Sequence, residues 1–452
     1  MVLCYMDFSR AATVPDPPAH LKKIGKYEII KELGKGATSS VYQAYDPFRG
    51  RQVAIKVVFP EALGDKEHGR RYRKLFVAEA SLAGKLSHPH IVAIYDAVAE
   101  DEASYIVMEY VDGTTLEQYT RHDSLLPIQK IVEIIYKCAR ALEYASKQGV
   151  IHRDIKPANI LLAGESDIKI SDFGAALTAA GETTQVSGVG SPAYMSPEQV
   201  KELQLTYQTD IFSLGVVMFQ LLTGRLPFQG ANNYSMIYQI INVESPRSIQ
   251  VRPDIPPRID AIVMRALAKD TAARYQTWEE FAHDLATALG TAEKREQGGF
   301  AESEKFDTLR QLEFFRHFSD VELWEVLRLA TWHKHPHDTV LIQESDIGSS
   351  FFILVSGEVK VEKQERLLNV LKPGECFGEM AYLGKQKFQR SASIVALTEI
   401  AVIEVRAETL AKASDLCRHH FHGAFLELLV DRLAMANLRL SQLLADRNVS
   451  VY

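Results

Sequence analysis

His152-Arg-Asp154-Ile-Lys156-Pro-Ala-Asn159, with Asp172-Phe-Gly174 thirteen residues past Asn159, is the stretch from which the rest of this chain is read. Between the two clusters, Ile160-Leu-Leu and Asp167-Ile-Lys-Ile-Ser read as a hairpin, which sets the polar groups at neighbouring turns. Transfer of a phosphoryl group to a hydroxyl needs a carboxylate to hold the nucleophile and hard oxygen ligands for Mg²⁺ (or Mn²⁺). Asp154 suits the first role, Asn159 and Asp172 suit the second, and Lys156 can neutralise charge on the transferred group.

Upstream, Tyr27-Glu-Ile-Ile, Ser40 to Tyr45 and Gln52 to Val58 are short β-branched and aromatic runs split by glycine-rich turns. Gly34-Lys-Gly36-Ala-Thr-Ser39-Ser-Val41 puts a Gly-x-Gly turn between two of them, where backbone N–H groups can approach phosphates without an intervening Cβ. Val53-Ala-Ile-Lys56 sets a lysine inside an apolar run, costly unless it meets an anion. Arg71 to Leu86 reads as an amphipathic helix carrying Glu79, a carboxylate able to orient Lys56; Glu67 competes for that role. Strands are expected at Ile91–Tyr95 and Tyr105–Glu109. A long helix is expected from Ile128 to Gln148, stopped by Gly149.

These motifs resemble those of the eukaryotic-type protein kinase family, over about residues 27–289, after a tail of residues 1–26. Ser196-Pro-Glu198 stands where the family has Ala-Pro-Glu, and Asp210 and Arg274 fall at its expected positions. The resemblance implies an ATP cleft lined by Leu33, Gly34, Gly36, Val41, Ala54, Lys56, Met108 and Leu161, with Glu109 to Val111 as hinge. Lys156 and Gly190-Ser-Pro-Ala-Tyr194 look like the branch that phosphorylates serine and threonine in proteins. Ser39 replaces the third loop glycine and Ser196 the alanine; both are small, and neither removes a catalytic group. Arg153 before Asp154 often marks control by phosphorylation of the following segment, which makes Thr183, Thr184 and Ser187 candidate sites.

Residues 290–306 are polar and glycine-containing and read as a linker. Asp307 to Leu329 is helical by period, and Val340 to Val405 alternates in short glycine-punctuated runs that suggest a barrel or jelly roll. There, Phe377-Gly378-Glu379-Met380-Ala381 and Arg390-Ser391-Ala392 bring together anion-binding backbone, a ribose acceptor and a phosphate-pairing guanidinium. Residues 307–445 resemble the cyclic-nucleotide-binding domains of kinase regulatory subunits and bacterial catabolite activators. By that resemblance Glu379 contacts the ribose, and Arg390 with Ser391 the phosphate of cyclic AMP or cyclic GMP. The last helix, Phe421 to Leu444, carries Phe425, Leu428, Leu429, Leu433 and Leu440. It packs on its own domain, caps the nucleotide or forms a homodimer.

The expected fold is thus multidomain α+β: a bilobal kinase followed by a β-roll with flanking helices. The 452 residues are 46% apolar and 24% charged with net charge −7, ordinary globular composition without the basic face that nucleic acid or anionic membrane needs. Four scattered cysteines, no signal-peptide pattern and no long apolar run point to a cytoplasmic protein. The function expected is ATP-dependent serine/threonine phosphorylation regulated by a cyclic nucleotide. The alternatives are a nucleotide-sensing scaffold with a weakly active kinase fold, and an active kinase whose C-terminal module is only an interaction surface.

Overall fold

A computed structural model describes residues 23–36, 39–58, 84–99, 104–164, 167–173, 177–178, 192–293, 302–379 and 389–446. The chain divides into two compact units, Met1–Phe281 and Ala282–Tyr452. The helix expected over 71–86 lies almost wholly outside the described residues, Glu79 and Glu67 with it.

The first unit opens with an antiparallel sheet of β1 (Lys23–Ile24), β2 (Tyr27–Lys35), β3 (Ser39–Asp46), β4 (Arg51–Val58), β5 (Ile94–Ala99) and β6 (Ser104–Glu109) in the order β1-β2-β3-β4-β6-β5. Alternation along β3 and β4 turns Tyr42, Ala44, Val53 and Ile55 into one core with Tyr27, Tyr105 and Val107. The strand expected at 91–95 is found three residues later. Ile91 is instead buried in a lone parallel bridge to Ile170, because the apolar Ile91-Val92 pair is drawn onto the hairpin below.

Two buried helices run through the rest of that unit. Ile128–Lys147 ends as read, with Gly149 at φ +75°, a value glycine adopts without a Cβ clash. Gln208–Thr223 is buried nearly all round and ends at Gly224 in the left-handed region. The two pack against each other. The expected hairpin is present, Ile160–Ala163 pairing antiparallel with Asp167–Ile170.

The stretch read as linker is helical at both ends. Helix Trp278–Glu293 runs through Gly290, and Glu302–Gln311 begins before residue 306. The single helical run expected over 307–329 is broken: Phe314, Phe315 and Phe318 turn inward together, and a new helix, Asp320–Leu329, starts at a Ser319/Glu322 capping box.

The β region begins at Ala330, earlier than expected. Two four-stranded antiparallel sheets form it. One orders Ala330–His335, Ile400–Arg406, Ser350–Ser356 and Cys376–Phe377; the other orders Val340–Ile342, Ser393–Ala396, Val359–Lys363 and Arg366–Leu371. Ile342, Leu354, Val359, Phe377, Ile394 and Val402 fill the space between them. The terminal helix, Asp415–Asp446, closes on this roll through Phe421 and Phe425, both fully buried against Phe314 and Phe351.

Candidate functional sites

Five polar residues expected to act together in the first unit do converge. Lys56 Nζ lies 2.6 Å from Asp172 Oδ1, so strand β4 and the hairpin turn meet through an ion pair. Lys156 Nζ donates to Asp154 Oδ2 at 2.7 Å, and Asn159 Nδ2 donates to the same oxygen at 3.1 Å and to the Asp154 carbonyl at 2.8 Å. His152 Nε2 sits 3.0 Å from the Ser171 carbonyl and packs its ring on Phe173, joining the two turns. Burial pushes the Asp172 carboxyl up, but Lys56, with smaller help from His152 and Lys156, outweighs it and holds Asp172 below the usual carboxylate range.

The backbone here is held in an uncommon conformation. Arg153 has φ 68° and Asp172 φ 60°, the left-handed region that a bulky arginine rarely enters. Asp210, at the start of the second buried helix, accepts from the N–H groups of His152 and Arg153, each at 2.8 Å. Gln199 Nε2 donates to the Arg153 carbonyl at 2.8 Å. Both peptide groups of Arg153 are therefore fixed from outside the turn. Gln199 is placed by a capping box with Ser196, whose hydroxyl also bonds Thr209. The serine that departs from the family pattern thus performs a structural task. Arg274 forks onto Glu198 at 2.7 and 3.2 Å in the core.

Most of the residues expected to line the cleft lie on strands of the first sheet and on the hairpin. Cross-strand register sets Lys56 beside Val41 and Ile106, and Ala54 beside Met108. Lys56, Met108, Asp172, Ile94, Ile106 and Phe173 line one small cavity. Gly36 N–H closes the glycine turn on the Ser39 carbonyl at 2.8 Å, and Leu33, on β2, is 43% exposed. Leu161 lies on the hairpin beside Thr115. Glu109 ends β6, as a hinge residue should, but its carboxylate is taken by Lys169 at 2.7 Å and the Ala93 N–H at 3.2 Å. Val111 is half-buried just beyond. Asp172 and the amide oxygen of Asn159 are the hard donors Mg²⁺ prefers, so the residues fit the metal. Gly174, Thr183, Thr184 and Ser187 lie outside the described residues.

In the second unit a cavity of about 1330 Å³ is lined by Gly378, Glu379, Arg390, Ser391 and Ala392 on one side and by the terminal helix on the other. Arg390 donates to the carbonyls of Gly378 at 2.9 Å and Ser350 at 2.7 Å, and its own backbone is tied to Asp346 and Ser345. Burial pulls its guanidinium below the usual arginine range, which sharpens its need for an anion. A Cβ at Gly378 would sit 2.7 Å from Arg390 Nη1, and one at Gly348 would overlap the guanidinium outright. Phe377 is buried beneath, stacked on Phe352. Glu379 is buried and accepts from Arg432 Nη1 at 2.9 Å; Arg432 also reaches the Cys376 carbonyl. Met380 and Ala381 lie outside the described residues. Gly348, Ser350 and Arg432 are site residues that the sequence motifs do not contain.

Comparison with known proteins matches a family to each of the two regions. A family model described as protein kinase domain matches residues 27–286, and one described as cyclic nucleotide-binding domain matches residues 332–415. The chain belongs to the protein kinase domain family and carries a cyclic nucleotide-binding domain behind it. It is 40% identical over 268 residues to serine/threonine-protein kinase PrkC of Bacillus subtilis, covering 59% of this chain and 41% of that one. It is 39% identical over 275 residues to serine/threonine-protein kinase PknB of Mycobacterium leprae, covering 59% and 43%. The chain thus spans about two-fifths of the length of the curated relatives it matches. Among the described residues no helix is long and apolar enough to cross a membrane.

Proposed function

We propose that this chain transfers a phosphoryl group from Mg-ATP to serine or threonine of protein substrates, in the cytoplasm, under control of a cyclic nucleotide bound at its C-terminal domain. The observation that carries the first half is the bonded cluster of Lys56, Asp172, Asp154, Lys156 and Asn159. Asp154 takes the substrate hydroxyl as acceptor and holds its oxygen toward the phosphorus. Lys156, already on the same carboxylate, places positive charge where the transferred group gains negative charge. Lys56 orients the non-transferred phosphates. Mg²⁺, held by Asp172 and Asn159, neutralises phosphate charge when bound.

Arg153 is the candidate receiver for a phosphate on Thr183, Thr184 or Ser187. Its Nε is buried without a hydrogen-bond partner among the described residues, and burial pulls its pKa down. A phosphate would relieve both.

The second half rests on Arg390 and Glu379 facing one cavity. A ribose hydroxyl arriving at Glu379 meets a carboxylate already shared with Arg432, so ligand and terminal helix compete for or share one acceptor. Either way, nucleotide binding is coupled to that helix. A partial effect of several-fold on activity needs only about 1–3 kcal/mol of coupling.

Radiolabel transfer to a generic basic protein, measured with and without cyclic AMP and cyclic GMP, tests both halves. Transfer that responds to one nucleotide is expected. No transfer under any condition would remove the enzyme; transfer indifferent to both nucleotides would remove the regulation.

A further inference from the structure

One peptide plane joins Arg153 to Asp154, and it is gripped at both ends. Its carbonyl accepts from Gln199 Nε2 at 2.8 Å, across 46 residues of chain. Its N–H, which belongs to Asp154, donates to His152 Nδ1 at 3.3 Å. Arg153 sits at φ 68°, a conformation that a non-glycine residue keeps only when its surroundings enforce it. The plane that follows is therefore the part of this turn most ready to rotate. Asp154 takes its direction from that plane, because its Cα is attached to the plane's nitrogen.

Gln199 is only 7% exposed, and each end of its amide has a separate task. Oε1 accepts the Ser196 N–H at 3.0 Å, which closes the capping box of the short helix Pro197–Val200. Nε2 goes to Arg153. Turning the amide end for end would set N–H against N–H and oxygen against oxygen, so the partners fix which atom is which. A residue needed only to start the helix would be served as well by glutamate, the other side chain that closes such a box. Glutamate has no N–H for the Arg153 carbonyl. The box explains one end of the amide and leaves the other unexplained.

We propose that Gln199 is a positioning residue for phosphoryl transfer, fixing the peptide plane that aims Asp154. The inference rests on the transfer reaction proposed above and adds a residue that acts through Arg153 rather than on a reacting atom. Asp210 secures the plane on the other side of Arg153 through its N–H. The two planes are thus held from two helices, Pro197–Val200 and Gln208–Thr223, which the Ser196 and Thr209 hydroxyls join directly. A shift of the first helix is felt at Asp154 through one hydrogen bond.

Three variants of the full chain separate this role from helix capping. Gln199→Glu keeps an acceptor for the Ser196 N–H but sets an oxygen against the Arg153 carbonyl. Its kcat should fall about 10- to 100-fold, with KM for ATP within about 3-fold of the parent. Gln199→Met loses the donor without adding charge and should reproduce that fall, even where the glutamate variant does not fold. Ser196→Ala weakens the helix start and leaves Nε2 on Arg153. Its thermal midpoint should drop while kcat stays within about 3-fold of the parent. Amide hydrogen exchange gives a readout that needs no catalysis. Exchange at Asp154 should quicken in both Gln199 variants and keep the parent's rate in Ser196→Ala. Turnover by both Gln199 variants within about 2-fold of the parent would overturn the proposal. So would a kcat loss that follows the thermal midpoint through all three variants, or unchanged exchange at Asp154. A parent that transfers no phosphoryl group would remove the reaction proposed above, and exchange at Asp154 would still decide for or against the grip of Gln199.

Discussion

Asp210 holds Arg153 by its backbone: the buried carboxylate accepts the Arg153 N–H at 2.8 Å while that residue sits at φ 68°. The turn that presents Asp154 is therefore propped from a helix outside it. Burial raises the Asp210 pKa, and the two N–H donors and the nearby His152 and Arg153 only partly offset this. Asp210→Ala leaves two buried donors unpaired at about 1–3 kcal/mol each. Asp210→Asn keeps one acceptor and should fall between parent and alanine variant. Thermal unfolding of the three proteins checks the order, which a merely solvated aspartate would not produce.

Asp154→Asn separates chemistry from binding. The amide still fits between Lys156 and Asn159 but no longer offers a carboxylate to the incoming hydroxyl. Phosphoryl transfer should fall by about 10²–10⁴-fold, with ATP affinity within a few-fold of the parent. Single-turnover transfer beside a fluorescent-nucleotide titration reads the two quantities separately.

Arg390→Lys should weaken cyclic-nucleotide binding by about 10–150-fold, the loss of one charge-assisted bond of roughly 1.5–3 kcal/mol. One ammonium cannot hold the Gly378 and Ser350 carbonyls and also fork onto a phosphate. Calorimetry with cyclic AMP and cyclic GMP on the full chain gives the number, and unchanged affinity would place the phosphate elsewhere.

Lys269 provides a pH signature. Burial brings its pKa down to about 8, against weaker opposition from Glu244. Its ammonium lies 3.5 Å over the Phe228 ring and 2.6 Å from the Ile240 carbonyl. Between pH 8 and about 10.5 the unfolded chain binds this proton more than the folded one, so its contribution to stability rises with pH in that window. Thermal midpoints of the parent should gain over those of Lys269→Met from pH 8 to 10. The gap should stay flat below pH 7.

Much of this was legible in the sequence because motifs for phosphate chemistry are local. Asp154, Lys156 and Asn159 share one turn, and the hairpin that delivers Asp172 is only a few residues long. What escaped is what reaches across the chain. Arg432 meets Glu379 across 53 residues of chain, a separation no local motif records. The Ser196/Gln199 and Ser319/Glu322 boxes were readable signals of helix starts. The second would have broken the run expected over 307–329. The strand misplaced at 91–95 shows the limit of composition: Ile91-Val92 is as apolar as any strand, yet it is buried by one bridge to Ile170 and not by a ladder.

Gly348 never appears in a ligand-contact motif, yet it leaves the room that the Arg390 guanidinium fills. Any side chain there would push the arginine off its two carbonyl rests and turn it away from an arriving anion. A screen for variants that no longer bind a cyclic nucleotide should therefore recover position 348 beside the contact residues. Such a variant would lose its ligand through shape alone, with every polar group of the cavity still in place.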